Sequence, residues 1–343
     1  MRLPWPGLAA LAAMTAMAGM ARASASSVCE GTRTAAKVAD GALNVKVRED
    51  LAYVTGYLDN SFTIMNVSEP GSMRMVSNVT DARLQSPTEV ALSGDLAFVA
   101  LEMSTLAVVN ISDPANPQVE GVVDAFNKYP YAYGIAASGE FAYVLSYDSA
   151  TLIIINASDP TEPFICGTVT DKERLAGAGN LLVSGDLAYV ASADLPGVAV
   201  VNVSDPTDPF ILSSLRSEYL DGAYGVALGP EDLLYAVSFY AHAFVVVNIS
   251  NPSQPFIVNA LVDNFLLFGA YSVTVDQDVA VVPCLDGETL TLVNLSAPTQ
   301  PSLSCGYSLR GARYAAVAGN ATLVPSYDTD SLVAFDGRPS TML

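Results

Sequence analysis

Apolar residues along this chain come in short, nearly unbroken runs of five or six, set apart by small polar turns. One copy shows the unit. Tyr133–Ala137 predicts a first strand, Ser138-Gly139-Glu140 a turn, and Phe141–Leu145 a second strand. The polar stretch Ser146–Ala150 follows, then a third strand over Thr151–Ile155 and a fourth over Phe164–Val169. A sheet with one wet face would alternate apolar and polar residues. The second and third runs are apolar throughout, so both of their faces are expected to be buried.

The third run ends each time on one phrase: Asn, a small or apolar residue, Ser, then a short residue and Pro. Its six Asn residues are Asn66, Asn110, Asn156, Asn202, Asn248 and Asn294, spaced by 44, 46, 46, 46 and 46 residues. Pro, Asn, Asp and Ser preset or cap a tight bend, which explains the phrase as turn chemistry. A fixed period of this length filled with short strands is the signature of a β-propeller blade. The second strand recurs seven times, from Leu51–Val54 to Thr322–Pro325. The last copy reaches its third strand at Leu332–Asp336 and then lacks a fourth. Cys29–Thr34 reads like the outer strands that begin Cys166-Gly167-Thr168 and Cys305-Gly306-Tyr307. The expected fold is therefore all-β, a seven-bladed propeller whose last blade is completed by an N-terminal strand, leaving no open sheet edge.

Residues 1–25 have another character. Arg2 precedes an Ala/Leu/Met stretch from Leu8 to Met20, and Ala21-Arg22-Ala23 and Ala23-Ser24-Ala25 offer small-x-small cleavage sites. This predicts a cleaved secretory signal ahead of a single propeller over 26–343, and a secreted or cell-surface location. The apolar run is shorter than the ~20 residues of a membrane span. Acidic residues outnumber basic ones 35 to 15. Such a surface repels phosphate backbones and anionic headgroups, so nucleic acid and membrane insertion are not expected, and a protein, glycan or cationic ligand suits it better. Cys29, Cys166, Cys284 and Cys305 allow three pairings, and their places in the blades suggest no natural pair. Small buried hydrophobes are the plain alternative for them.

Leu187-Ala188-Tyr189-Val190, followed by Val198-Ala199-Val200-Val201-Asn202-Val203-Ser204-Asp205-Pro206-Thr207-Asp208-Pro209, resembles the unit of the LVIVD-repeat family, close to "LAYVA…GLVIVDVSDPSNP". The resemblance runs through nearly all of the chain after the leader. It implies a propeller on a secreted or surface protein and brings no catalytic motif. One departure is systematic: the family's Asp at the end of the third strand is Asn in six copies, and Asp336 alone keeps it.

That change makes each copy an N-glycosylation sequon, and Asn78 and Asn320 add two more, although Asn also starts the turn as well as Asp does. At the opposite end of the blades, the loop after strand two carries Glu102, Asp148, Asp194, Asp286 and Asp328, with Asp59 shifted by one. The start of strand one carries Tyr133, Tyr224, Tyr271 and Tyr314. The expectation is a ring of carboxylates outside a partial ring of tyrosines at the channel mouth, a candidate ligand-binding face. Turn capping and mouth packing are the plain alternatives. His242, the single histidine, reads as a loop residue, and no hydrolase, nucleotide or zinc motif is present. The expected role is thus a binding or scaffolding module. The alternative is a metal-assisted or carboxylate-based hydrolase or lyase for a small extracellular substrate. No cofactor or metal site is predicted, with calcium held by Asp and Asn oxygens the one option left open.

Overall fold

In a computed structural model, residues 33–103, 105–319 and 321–336 are described, and the predicted signal over 1–25 lies outside them. They form seven four-stranded antiparallel sheets. Blade three shows the pattern: inner strand Ala132–Ser138, second strand Phe141–Ser146, third strand Thr151–Asn156 and outer strand Phe164–Thr170. Blades one to six follow this order along the chain.

Seven apolar clusters fill the seven seams between neighbouring blades, and they explain the doubly apolar strands. Ile153 and Ile155 pack into the seam with blade two, beside Phe98 and Val108. Their neighbours Leu152 and Ile154 pack into the seam with blade four, beside Val190 and Ala199. Alternation is still present, but each face meets another blade instead of water. The Asn-x-Ser turns then hold the far end. The Asn66, Asn110, Asn202 and Asn248 side-chain oxygens each accept from the N–H and hydroxyl of the Ser two residues on; Asn156 and Asn294 accept from the N–H.

Arg33–Lys37 closes the ring, as the sequence implied. It pairs antiparallel with Ser331–Asp336 in blade seven, Arg33 opposite Phe335 and Lys37 opposite Ser331. Residues 29–32 of the expected strand lie outside the described residues. The strand also ties its neighbours: the Arg33 guanidinium donates to Ser308 O of blade six at 2.9 Å. The Thr34 hydroxyl donates to Pro70 O of blade one at 2.6 Å.

The cysteine reading needs correction. Cys166 and Cys284 are free, but Cys305 is disulfide-bonded. Among the described residues, no helix is long and apolar enough to cross a membrane.

Two glycines mark different constraints. Gly94, in the turn between the inner and second strands of blade two, has φ +53° and open space where a Cβ would stand. Gly269, before the inner strand region of blade six, has φ +70° and would place a Cβ 2.7 Å from Asp286 N. Gly94→Ala should cost about 1 kcal/mol through backbone strain alone, and Gly269→Ala distinctly more, about 2–3 kcal/mol. Urea denaturation of the two variants measures the difference.

Candidate functional site

One backbone device, repeated in all seven blades, builds the channel mouth. The residue leading into each inner strand region has positive φ: Gly41, Ser86, Tyr131, Gly177, Gly222, Gly269 and Gly311. Its carbonyl accepts the N–H of the residue just past the second strand, in order Tyr57, Glu102, Tyr147, Ala193, Phe239, Leu285 and Tyr327. These seven form an inner set at the mouth. The next residue in each loop, Leu58, Met103, Asp148, Asp194, Tyr240, Asp286 or Asp328, is exposed and forms the rim.

This register revises the expected carboxylate ring. Glu102 belongs to the inner set and is buried, whereas Asp148, Asp194, Asp286 and Asp328 stand on the exposed rim. Asp59 lies one residue further on and caps its own loop, accepting from Asp40 N at 3.1 Å and the Ser61 hydroxyl at 2.6 Å. The tyrosine ring shifts as well. Bridges at Ala132, Ala223, Ala270 and Ala312 align Tyr133, Tyr224 and Tyr271 with Arg313, so Tyr314 sits one position later.

The tyrosines are joined through carboxylates and ring faces. Tyr57 and Tyr133, from blades one and three, both donate to Glu102, Tyr133 at 3.0 Å. Two phenol donors to one carboxylate, each worth about 1.5–3 kcal/mol as a hydrogen bond to a charged group, offset its removal from water. Tyr147 donates to Asp194 at 2.9 Å. The Tyr133 and Tyr147 rings meet edge to face at 6.0 Å. Tyr224 stacks on Tyr271 at 5.0 Å, and Tyr271 meets Tyr314 edge to face at 5.7 Å. The Arg313 guanidinium lies 5.1 Å from the Tyr327 ring centre. Burial, more than any charge, raises these phenols; for Tyr224 the value reaches about 12.

At the centre is a carboxylate that sequence reasoning missed. Glu89, on the inner strand of blade two, is 2% exposed. It accepts from the Tyr314 hydroxyl of blade seven, and the Ile135 N–H of blade three and the Asn180 side chain of blade four lie near enough to favour its charged form. Partners from blades on different sides of the ring place it on the axis. Burial pushes its carboxyl up to about 7, against the lowering effect of those groups and of the Lys46 charge. Tyr57, Tyr147, Phe239 and Tyr327 were missed too. Their signal was the aromatic residue directly following the last small residue of the second strand, as in Ser146-Tyr147 and Ser238-Phe239.

The remaining candidates lie elsewhere. Asn66, Asn110, Asn156, Asn202, Asn248 and Asn294 end third strands at the opposite face. Asn78 is exposed on an outer strand and accepts from the Thr63 hydroxyl, and Asn320 is outside the described residues. The His242 Nδ1 accepts from Gly269 N at 3.2 Å, and its ring packs edge to face on Phe268. Among the described residues no group of three or more His, Cys, Asp or Glu side chains is gathered to hold a metal ion.

The LVIVD-repeat family model matches residues 41–81, 86–125, 131–171, 177–216 and 235–262, together more than half of the chain. No curated protein sequence matches it. Solved structures resemble it at low identity. One is a catalytically inactive histidine-to-alanine variant of virginiamycin B lyase from Staphylococcus aureus with quinupristin. It is 9% identical with a TM-score of 0.68, over 90% of this chain and 99% of that one. Hydrazine synthase of Kuenenia stuttgartiensis is 11% identical with a TM-score of 0.69, over 87% and 96%. The Cps50 (Swd1) β-propeller domain of Myceliophteria thermophila is 9% identical with a TM-score of 0.69, over 90% and 100%. Such identities establish the shared fold alone.

The raised Glu89 carboxyl makes stability depend on pH. The unfolded chain releases this proton near 4.5 and the folded one near 7. Folding therefore favours the protonated form, and that contribution is present below pH 4.5 and lost as pH rises through 7. Glu89→Gln, which cannot ionise, should gain on the parent by about 3 kcal/mol between pH 4.5 and pH 8. Urea titrations of both proteins at several pH values measure the gap.

Proposed function

We infer that this chain, which belongs to the LVIVD-repeat family, is a binding module that takes the cationic side chain of a protein partner at the rim of its tyrosine-lined mouth. One observation carries the reading. Tyr240 is 49% exposed on the rim, and partial burial, with the nearby Asp194, Asp221 and Asp286 charges after it, raises its phenol. Behind it the aromatic series continues, with Tyr240 edge-on to Phe239 at 5.2 Å and Phe239 edge-on to Tyr224 at 5.9 Å. Gly222 leaves the space that the Tyr240 ring occupies, since a Cβ there would stand 2.6 Å from it. An exposed ring face flanked by carboxylates suits a Lys or Arg head group through cation–π and Coulomb attraction together. Leu58 and Met103, 53% and 47% exposed on the same rim, add apolar contact for the rest of a protein surface.

Tyr271 is 7% exposed, and Tyr133 already donates to Glu102, so these rings support the site more than they present it. A carboxylate-based enzyme is the second reading, favoured by one observation: Glu89 holds or releases a proton near neutral pH beside the Tyr314 hydroxyl. Its burial argues for the binding role, because a substrate would first have to displace the tyrosines above it. The lyase variant was inactivated at a histidine, whereas the single histidine here is committed to loop packing. Export to an oxidising compartment belongs to the same proposal and is supported by the bonded Cys305.

Arrays of Lys- and Arg-containing peptides probed with the protein test this directly. Capture should be selective for cationic sequences and fall at least about tenfold, or 1.4 kcal/mol, in Tyr240→Ala and in the Asp194→Asn/Asp286→Asn double variant. Undiminished capture by both variants would place the interaction elsewhere.

A further inference from the structure

The face opposite the mouth has a repeated feature of its own. Phe164, Phe210 and Phe256 open the outer strands of blades three, four and five and are 54%, 51% and 55% exposed. Each pairs across the ladder with the Asn that ends the third strand: Asn156 with Phe164, Asn202 with Phe210, Asn248 with Phe256. The three rings therefore share one register and follow one another around the edge, a blade apart. A single exposed aromatic is ordinary, but the same position repeated on three successive blades makes a surface. The fold does not demand it: blades one, two and six carry Arg74, Gln118 and Ser302 there.

Charge selects what could cover this surface. On the axial side, the turns between inner and second strands of these blades expose Glu140, Asp186 and Asp232. Between those turns and the rings stand Asp159 and Asp205. Hydrogen bonds from Thr161 and Thr207 hold their carboxyls below the usual range. The basic residues within 131–262 are Lys172, Arg174 and Arg216, and all three lie at the mouth end, past or at the close of outer strands. The phenylalanine face of blades three to five is thus acidic, with no cation of its own. A second copy of this chain, with a formal charge of −20, or an anionic lipid surface would be repelled from it.

We propose that this arc is a docking surface for a basic, partly apolar polypeptide segment of a protein partner. Its apolar side chains cover Phe164, Phe210 and Phe256, and its Lys or Arg side chains meet the flanking carboxylates. The surface is separate from the mouth, so one propeller holds two partners, or two parts of one, at its two ends.

Fluorescence anisotropy with two labelled peptides of equal charge, one alternating lysine with leucine and one alternating lysine with serine, tests this. The parent should bind the leucine peptide at least tenfold more tightly. The triple variant Phe164→Ser/Phe210→Ser/Phe256→Ser should lose that preference, and the triple Phe→Leu variant should keep it. Tyr240→Ala should leave it intact, which separates a failure here from a failure at the rim. Equal binding of the two peptides would overturn the proposal, as would an unchanged preference in a folded triple Ser variant or its loss in Tyr240→Ala.

Discussion

The second and third strands of the blades are buried on both faces, and that single fact forces the ring. A strand such as Thr151–Asn156 is stable only with a blade on each side, because Ile153 and Leu152 point into different seams. An open row of blades would leave two such faces in water, at a cost of roughly 1.5–3 kcal/mol for each large side chain exposed. Closure between blades seven and one is therefore not an accessory. The seam there holds Leu323 and Leu332 of blade seven against Val45 and Val54 of blade one. Arg33–Lys37 secures it by giving blade seven an outer strand from the start of the described chain.

Ring closure also divides the chemistry between two ends. The positive-φ residue before each inner strand region and the second-strand residue that bonds to it set the mouth. The Asn-x-Ser turn sets the other face. Side chains at the mouth converge because seven loops meet around one axis, so phenols and carboxylates from different blades come within hydrogen-bonding distance. At the far face the same geometry spreads the outer strands apart, and repeated residues form an arc instead of a cluster. Both ends are acidic, yet only the mouth has the buried partners that fix side chains in place.

Much of the architecture was legible because it is periodic. Six copies of one turn phrase and seven second strands gave the blade count, and the resemblance of Cys29–Thr34 to outer strands pointed to the closing segment. The site was legible only in part. Counting back from the third strand put Glu102 with the rim aspartates because the loop after the second strand is one residue shorter in blade two than in blade three, as the pairings Leu96–Asn110 and Phe141–Asn156 show. Tyr314 was matched to Tyr271 by residue type, whereas the bridges Ala270–Cys284 and Ala312–Ser326 put Arg313 at the Tyr271 position.

Glu89 shows why the most informative residues of such a fold lie where the repeat breaks. Seven equivalent inner-strand positions face one axis, and a side chain that fits once does not fit seven times. Seven tyrosines would collide there, and seven glycines would leave a void. At the position of Glu89, blades three and five have Gly134 and Gly225, where an added Cβ would stand 2.9 and 2.7 Å from the next blade's backbone. Blade one has Asn44, whose side chain reaches Val90 N of the next blade, while Glu89 of blade two extends to the Tyr314 hydroxyl of blade seven. Unlike residues at like positions are thus a packing necessity at the centre of the ring. For the same reason, the repeat's shared residues describe the scaffold, and its departures at the axis and rim describe what this particular chain can recognise.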